Sequence, residues 1–142
     1  MVVFNYGDFV FQPIDSKTCR IGNVTSYKIK QYSNGVKQGS LYKGPAIIPE
    51  IAYDATTKKA FKVTETSVYC FRGCTQLNEV VLPQTLKLIE IDSFYGTGIT
   101  QLTIPKNVKR LREYAFSNMF SLKTIIFEVG SKLEIIEQCA FQ

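Results

Sequence analysis

Phenylalanine recurs at Phe71, Phe94, Phe116 and Phe141, separated by 23, 22 and 25 residues, and this period constrains the chain more than any other feature. Self-similarity at a fixed interval of about 20–50 residues is the mark of a solenoid, whose units are too small to bury a core alone and stack to share one. The columns around each Phe repeat as well. Eight residues ahead stand Val63, Leu86, Val108 and Leu133, and five ahead stand Thr66, Ile89, Leu111 and Ile136. That spacing of three predicts a short helical or 3-10 return segment with one face inward.

After each complete unit comes a turn and a second apolar pattern: Leu77-x-x-Val80-x-Leu82, Ile99-x-x-Leu102-x-Ile104 and Leu122-x-x-Ile125-x-Phe127. Successive side chains alternate across a strand, so inward Val80 and Leu82 force Glu79 and Val81 outward. Pro83 and Pro105 follow directly and end the pairing, because proline has no N–H to donate. Pro45-Ala46-Ile47-Ile48-Pro49 repeats the same strand-then-proline element in a degenerate first unit with a longer return. Two departures stand out: Glu128 occupies the proline position of the last unit, and the turn after Phe94 is one residue shorter than that after Phe71.

The units Ala115–Phe127 and Cys70–Pro83 resemble the BspA-like leucine-rich repeat, a family abundant in surface antigens of oral and gut bacteria and of mucosal parasitic protists. Gly130–Glu137 is similar to the turn and return of the protist members. The resemblance covers about residues 45–142. The expected fold is an α/β leucine-rich-repeat solenoid of short parallel strands with helical or 3-10 returns. Residues 45–142 form its three to four units, the last incomplete, and residues 1–44 form an N-terminal β cap over the open end. In the cap, Val2–Phe4, Phe9–Phe11 and Tyr27–Lys30 read as strands and Ser33-Asn34-Gly35-Val36 as a hairpin turn. Since the chain stops mid-repeat at Gln142, it is expected to be a fragment or to need a neighbour over that edge.

The residues exclude most chemistry. With no His, the Ser-His and Cys-His nucleophile pairs are absent, as is the commonest general base. Cys19, Cys70, Cys74 and Cys139 allow two disulfides, but their spacing suits neither a zinc site nor a redox pair, and small buried thiols are the simpler reading. Glu134 and Glu137 read as solvent-facing charges. No metal or other cofactor is expected, and neither is an enzyme. The formal net charge of +5 is spread along the chain. Its one cluster, Lys106, Lys109, Arg110 and Arg112, reads as a solvated face and not as a nucleic-acid reader. No apolar stretch reaches membrane-span length and no signal peptide is visible. Asn23-Val24-Thr25 is an N-glycosylation pattern that favours a surface loop.

Function therefore falls to the outward strand columns. Ile47, Val81, Thr103 and Ile126 form one, with Glu79, Gln101 and Thr124 beside it. Three β-branched apolar residues on an exposed face mark an interaction site. With the family resemblance this implies a cell-surface or secreted module that contacts a host-cell or matrix protein. Two alternatives are a basic intracellular scaffold that binds acidic partners through the Lys106–Arg112 cluster, and an inert repeat fragment.

Overall fold

The computed structural model describes residues 2–142. A hairpin opens the chain: β1 (Phe4–Tyr6) and β2 (Phe9–Pro13) pair antiparallel across the tight Gly7-Asp8 turn, and β2 then pairs antiparallel with β3 (Thr18–Ile21). From β3 onward the backbone coils. β4 (Gly44–Ile47), β7 (Leu77–Val81), β9 (Gln101–Ile104) and β11 (Thr124–Phe127) line one side; β6 (Lys59–Thr66), β8 (Leu88–Ile89), β10 (Arg110–Leu111) and β12 (Ile135–Ile136) return along the other. The return strands pair in parallel in the order β3-β6-β8-β10-β12, so one ladder runs from the N-terminal hairpin to the last coil. The long first return is a second hairpin, in which β5 (Ile51–Asp54) pairs antiparallel with β6.

The Phe column forms the spine of the core. Phe71, Phe94, Phe116 and Phe141 stack nearly parallel with ring centroids 5.2, 5.5 and 5.2 Å apart, and the first three are buried. Offset aromatic pairs add about 0.5–1.5 kcal/mol each beyond area burial. The corners are held by backbone bonds between coils: the amides of Phe71, Phe94 and Phe116 donate to the carbonyls of Ser93, Ala115 and Ala140 at 2.7–2.8 Å. Two residues before each ring, Tyr69, Asp92, Tyr114 and Cys139 adopt positive φ of 55–61°. This left-handed residue turns the chain sharply and interrupts any helix.

The same signature extends further back than the Phe period does. Ser33 has φ 55°, and the Gly35 amide donates to the Cys70 carbonyl at 2.8 Å, just as a corner Phe would. Gly35 thus occupies the Phe position of an earlier coil that runs from β3 to β4. A Cβ there would overlap the Cys70 sulfur, and Phe9 from the hairpin fills the ring's place, edge-on to Phe71 at 6.3 Å.

Three expectations are corrected. The returns are not helical, and the fold is strand-rich instead of α/β; the one helical element among the described residues is a 3-10 turn at Gly39–Leu41. The spacing of three is met differently. The Leu86 and Val108 amides bond the carbonyls of Pro83 and Pro105 at 3.1 and 3.2 Å, so each proline starts a β-turn that sets the first inward residue, and the extended chain then delivers Ile89 or Leu111. Tyr27–Lys30 is a turn, not a strand. Ser33–Val36 is a coil corner and not a hairpin turn; its Asn34 side chain bonds the Gln31 and Val68 carbonyls at 2.8 Å and accepts from Ser67 Oγ and the Asn23 amide. Asn23 of the glycosylation pattern is half-buried.

Phe94 lies inside the stack and Phe141 at its end, where it is 37% exposed. Urea denaturation should show Phe94→Ala destabilised by about 3–5 kcal/mol and Phe141→Ala by about 1 kcal/mol or less.

Candidate functional site

The strand face presents the columns in the expected register. Ile47 pairs opposite Val81, and Gln101 and Thr103 opposite Thr124 and Ile126. Ile47, Val81 and Ile126 are 68%, 48% and 41% exposed, and Glu79, Gln101, Thr103 and Thr124 are exposed as well. Their inward neighbours Ala46, Val80, Leu82, Leu102 and Ile104 are buried, as strict alternation requires.

This face is not one continuous sheet. β4 pairs with β7 and β9 with β11, but β7 and β9 share no ladder. The shortened turn after Phe94 lies at this seam. It seats Gly98 against the previous coil so closely that a Cβ would overlap the Thr75 carbonyl oxygen, which explains why glycine stands there. Where the strands part, a groove of 630 Å³ opens, lined by Glu79, Val81, Gln101 and Thr103 together with Gln84 and Glu128. It holds four of the seven candidate site residues. Ile47 flanks it on the β4 side; Thr124 and Ile126 flank it on the β11 side.

Glu128 shows why proline is absent from the last unit. Its Oε1 accepts from Gln84 Nε2 at 2.9 Å and from the Lys106 amide at 3.0 Å, so it reaches back across two coils and closes one end of the groove. Gln84 and Glu128 are functional candidates that pattern reading passed over; the Glu-for-Pro departure was their signal. The groove offers carboxylate and amide groups beside one exposed apolar side chain, and this suits recognition of a polar chain with an apolar anchor.

Residues 52–142 match the family described as BspA type Leucine rich repeat region (6 copies). The chain belongs to the BspA-type leucine-rich repeat family. A leucine rich cell surface protein from Faecalibacterium prausnitzii is 34% identical with a TM-score of 0.52, over 62% of this chain and 20% of that protein. The pneumococcal vaccine antigen PcpA, at 16% identity, covers 95% of this chain and 40% of its own length with a TM-score of 0.62. A leucine-rich repeat protein from Bacteroides capillosus, at 17% identity, covers 89% of this chain and 98% of its own length with a TM-score of 0.54. These last two share the fold. The chain thus spans about a fifth of the Faecalibacterium protein. No curated protein matches it in sequence.

Charge on the BspA-type coils is divided by residue type. All four arginines are ion-paired across coils: Arg20 with Glu65, Arg72 with Asp92, Arg110 with Glu137, and Arg112 with both Glu90 and Glu137. Arg72 also lies over the rings of Tyr32 and Tyr95, 4.8 and 3.8 Å from their centroids. The Lys106–Arg112 cluster is therefore half neutralised: Arg110 and Arg112 are paired, while Lys106 and Lys109 are exposed. Glu137 is not the solvent-facing charge expected from the sequence; Arg112 Nε donates to it at 2.8 Å, Arg110 donates twice, and the Glu113 amide donates at 3.2 Å. Glu134 is exposed.

The cysteines are free thiols. Burial pushes Cys19 up to about 12 and raises Cys70 and Cys74 as well, so all three are poor nucleophiles. Native protein at pH 8 should expose no more than Cys139 to a thiol-specific dye within minutes, with the other three titrating only in denaturant.

Burial alone would raise the Glu137 carboxyl, but the bonds from Arg110 and Arg112 outweigh it and hold the group below its ordinary value of 4.5. A carboxyl lowered in the folded state stabilises above its unfolded value and loses that contribution as pH falls through its folded one. Glu137→Gln should cost roughly 2 kcal/mol at pH 7. In thermal melts between pH 7 and 2, the gap to wild type should narrow progressively below pH 4.5.

Proposed function

We propose that this chain is a non-catalytic protein-interaction module that binds through its strand face, centred on the groove between β7 and β9. The observation that carries the reading is the split in that face. Val81 and the carboxylates and amides around it converge on an open groove where neighbouring coils would otherwise hydrogen-bond, and Ile47 and Ile126 extend an apolar margin on either side. Concave strand surfaces of stacked repeats are natural binding surfaces, and exposed apolar patches rimmed by polar groups favour protein partners.

Family membership supports a place at the cell surface or in secreted form, with adhesion or antigen-type contact to a host-cell or matrix protein. The cell-surface description of the Faecalibacterium relative is consistent with it. No helix among the described residues is long and apolar enough to cross a membrane. Residues 1–44 serve in this reading as the N-terminal cap, made of the β1–β2 hairpin and the degenerate coil at Gly35, and residues 45–142 as the regular repeats. The support is Phe9, which fills the ring position of the first coil.

Surface plasmon resonance against a panel of matrix proteins and host-cell ectodomains tests the groove. Val81→Glu/Thr103→Glu, shown by circular dichroism to remain folded, should weaken binding at least about tenfold, because a buried unpaired charge costs more than 1.4 kcal/mol. Raising the salt should change wild-type binding little. A double variant that binds as well as wild type removes this face from the proposal.

A further inference from the structure

On the turns that follow the strand face lies a second surface, with different chemistry. Lys17, Lys62, Lys87, Lys109 and Lys132 line an open groove of 620 Å³ whose remaining walls are three threonines, a glutamine and an asparagine, with no acidic and no aromatic residue. All five lysines are exposed, and among the described residues none is ion-paired, every ion pair to a carboxylate being made by arginine. The backbone sets them in file. The Lys62 amide bonds the Lys17 carbonyl, that of Lys87 the Thr64 carbonyl, that of Lys109 the Lys87 carbonyl, and that of Lys132 the Lys106 carbonyl, each at 2.8 Å. Successive coils stack at strand spacing, about 4.7–4.9 Å per step, and each carries one of these lysines; Lys87 and Lys109 stand in register, while Lys62 and Lys132 are set off by two residues along their strands. Asp15, the acid beside Lys17, is engaged by the amides of Lys17 and Thr18 at 2.8 and 2.7 Å.

We propose that this lysine file binds a linear acidic polysaccharide, one sulfate or carboxylate to each coil. Five like charges on successive coils repel one another; a polyanion laid along them releases its counterions and relieves that repulsion. Each contact is weak, and the repeat makes them additive along one ligand. The lining selects among polyanions. A single-stranded nucleic acid gains much of its affinity from aromatic platforms for its bases, and the groove has none. An extended acidic peptide presents like-facing side chains every two residues, about 6.6–6.8 Å apart, which drifts out of step with the coils within a few residues. A pyranose chain with one anionic group per ring advances by nearly one coil per ring, and its hydroxyls meet the threonine, glutamine and asparagine side chains. The two grooves share one wall residue, Gln84, but no lysine of the file lines the groove between β7 and β9, so either proposal can fail without the other.

Fluorescence anisotropy of a labelled decagalacturonate, a decasaccharide with one carboxylate per ring, tests it with the intact chain, against a ten-residue oligothymidylate and a decaglutamate of similar charge. The decasaccharide should bind most tightly, with affinity falling linearly in log salt. The Lys62→Gln/Lys87→Gln/Lys109→Gln variant should bind it at least about tenfold more weakly and lose about three units of salt slope. Lys28→Gln/Lys30→Gln/Lys43→Gln removes the same charge away from the file and should change affinity less than about twofold. Val81→Glu should leave decasaccharide binding as in wild type. Equal losses in the two triple variants would reduce the effect to net charge and overturn the proposal. Oligothymidylate or decaglutamate binding as tightly as the decasaccharide would overturn its assignment to a polysaccharide, and an absence of decasaccharide binding would overturn it outright.

Discussion

Every part of this molecule depends on one contact: the backbone bond and ring stack that join each corner to the next. An isolated coil of about 23 residues cannot bury a phenylalanine, and a two-residue strand such as β8 or β10 has no stability of its own. Both exist because the corner amide of one coil meets a carbonyl of the next at 2.7–2.8 Å while the rings close in at 5.2–5.5 Å. Stability is therefore shared between neighbours and not held by units, as in a one-dimensional stack.

The same dependence explains the first coil. It lacks a ring of its own because Gly35 sits too close to Cys70 for any side chain, and the core is completed from outside by Phe9. The coil keeps the left-handed corner and the bond to the next coil even where the side-chain signature is gone. Backbone geometry is the more persistent mark of this repeat, and apolar identity the more visible one.

That difference decides what could be read from residues alone. The Phe column and the alternation of Val80, Val81 and Leu82 report directly on burial, so the stacking and the strand register were legible. The spacing from Leu86 to Ile89 was ambiguous, since a 3-10 turn and a proline-started turn followed by extended chain place both residues inward. The groove was only half legible. Glu79, Val81, Gln101 and Thr103 face outward by alternation, but the parting of β7 from β9 is a bond that fails to form between coils, and its one local mark is the short turn after Phe94. The lysine file has a period of its own, at Lys62, Lys87, Lys109 and Lys132, yet it becomes meaningful only once the coil boundaries are known and the arginines prove to be spoken for.

The seam between β7 and β9 also has a mechanical meaning. On the return side the ladder from β3 to β12 is unbroken, whereas on the strand side it is cut once. A rod with a continuous spine on one edge and a slot in the other bends most easily at the slot, in the plane that opens or closes it. Stacked coils above and below would move as two stiff segments, and whatever lodges in the slot would set the angle between them.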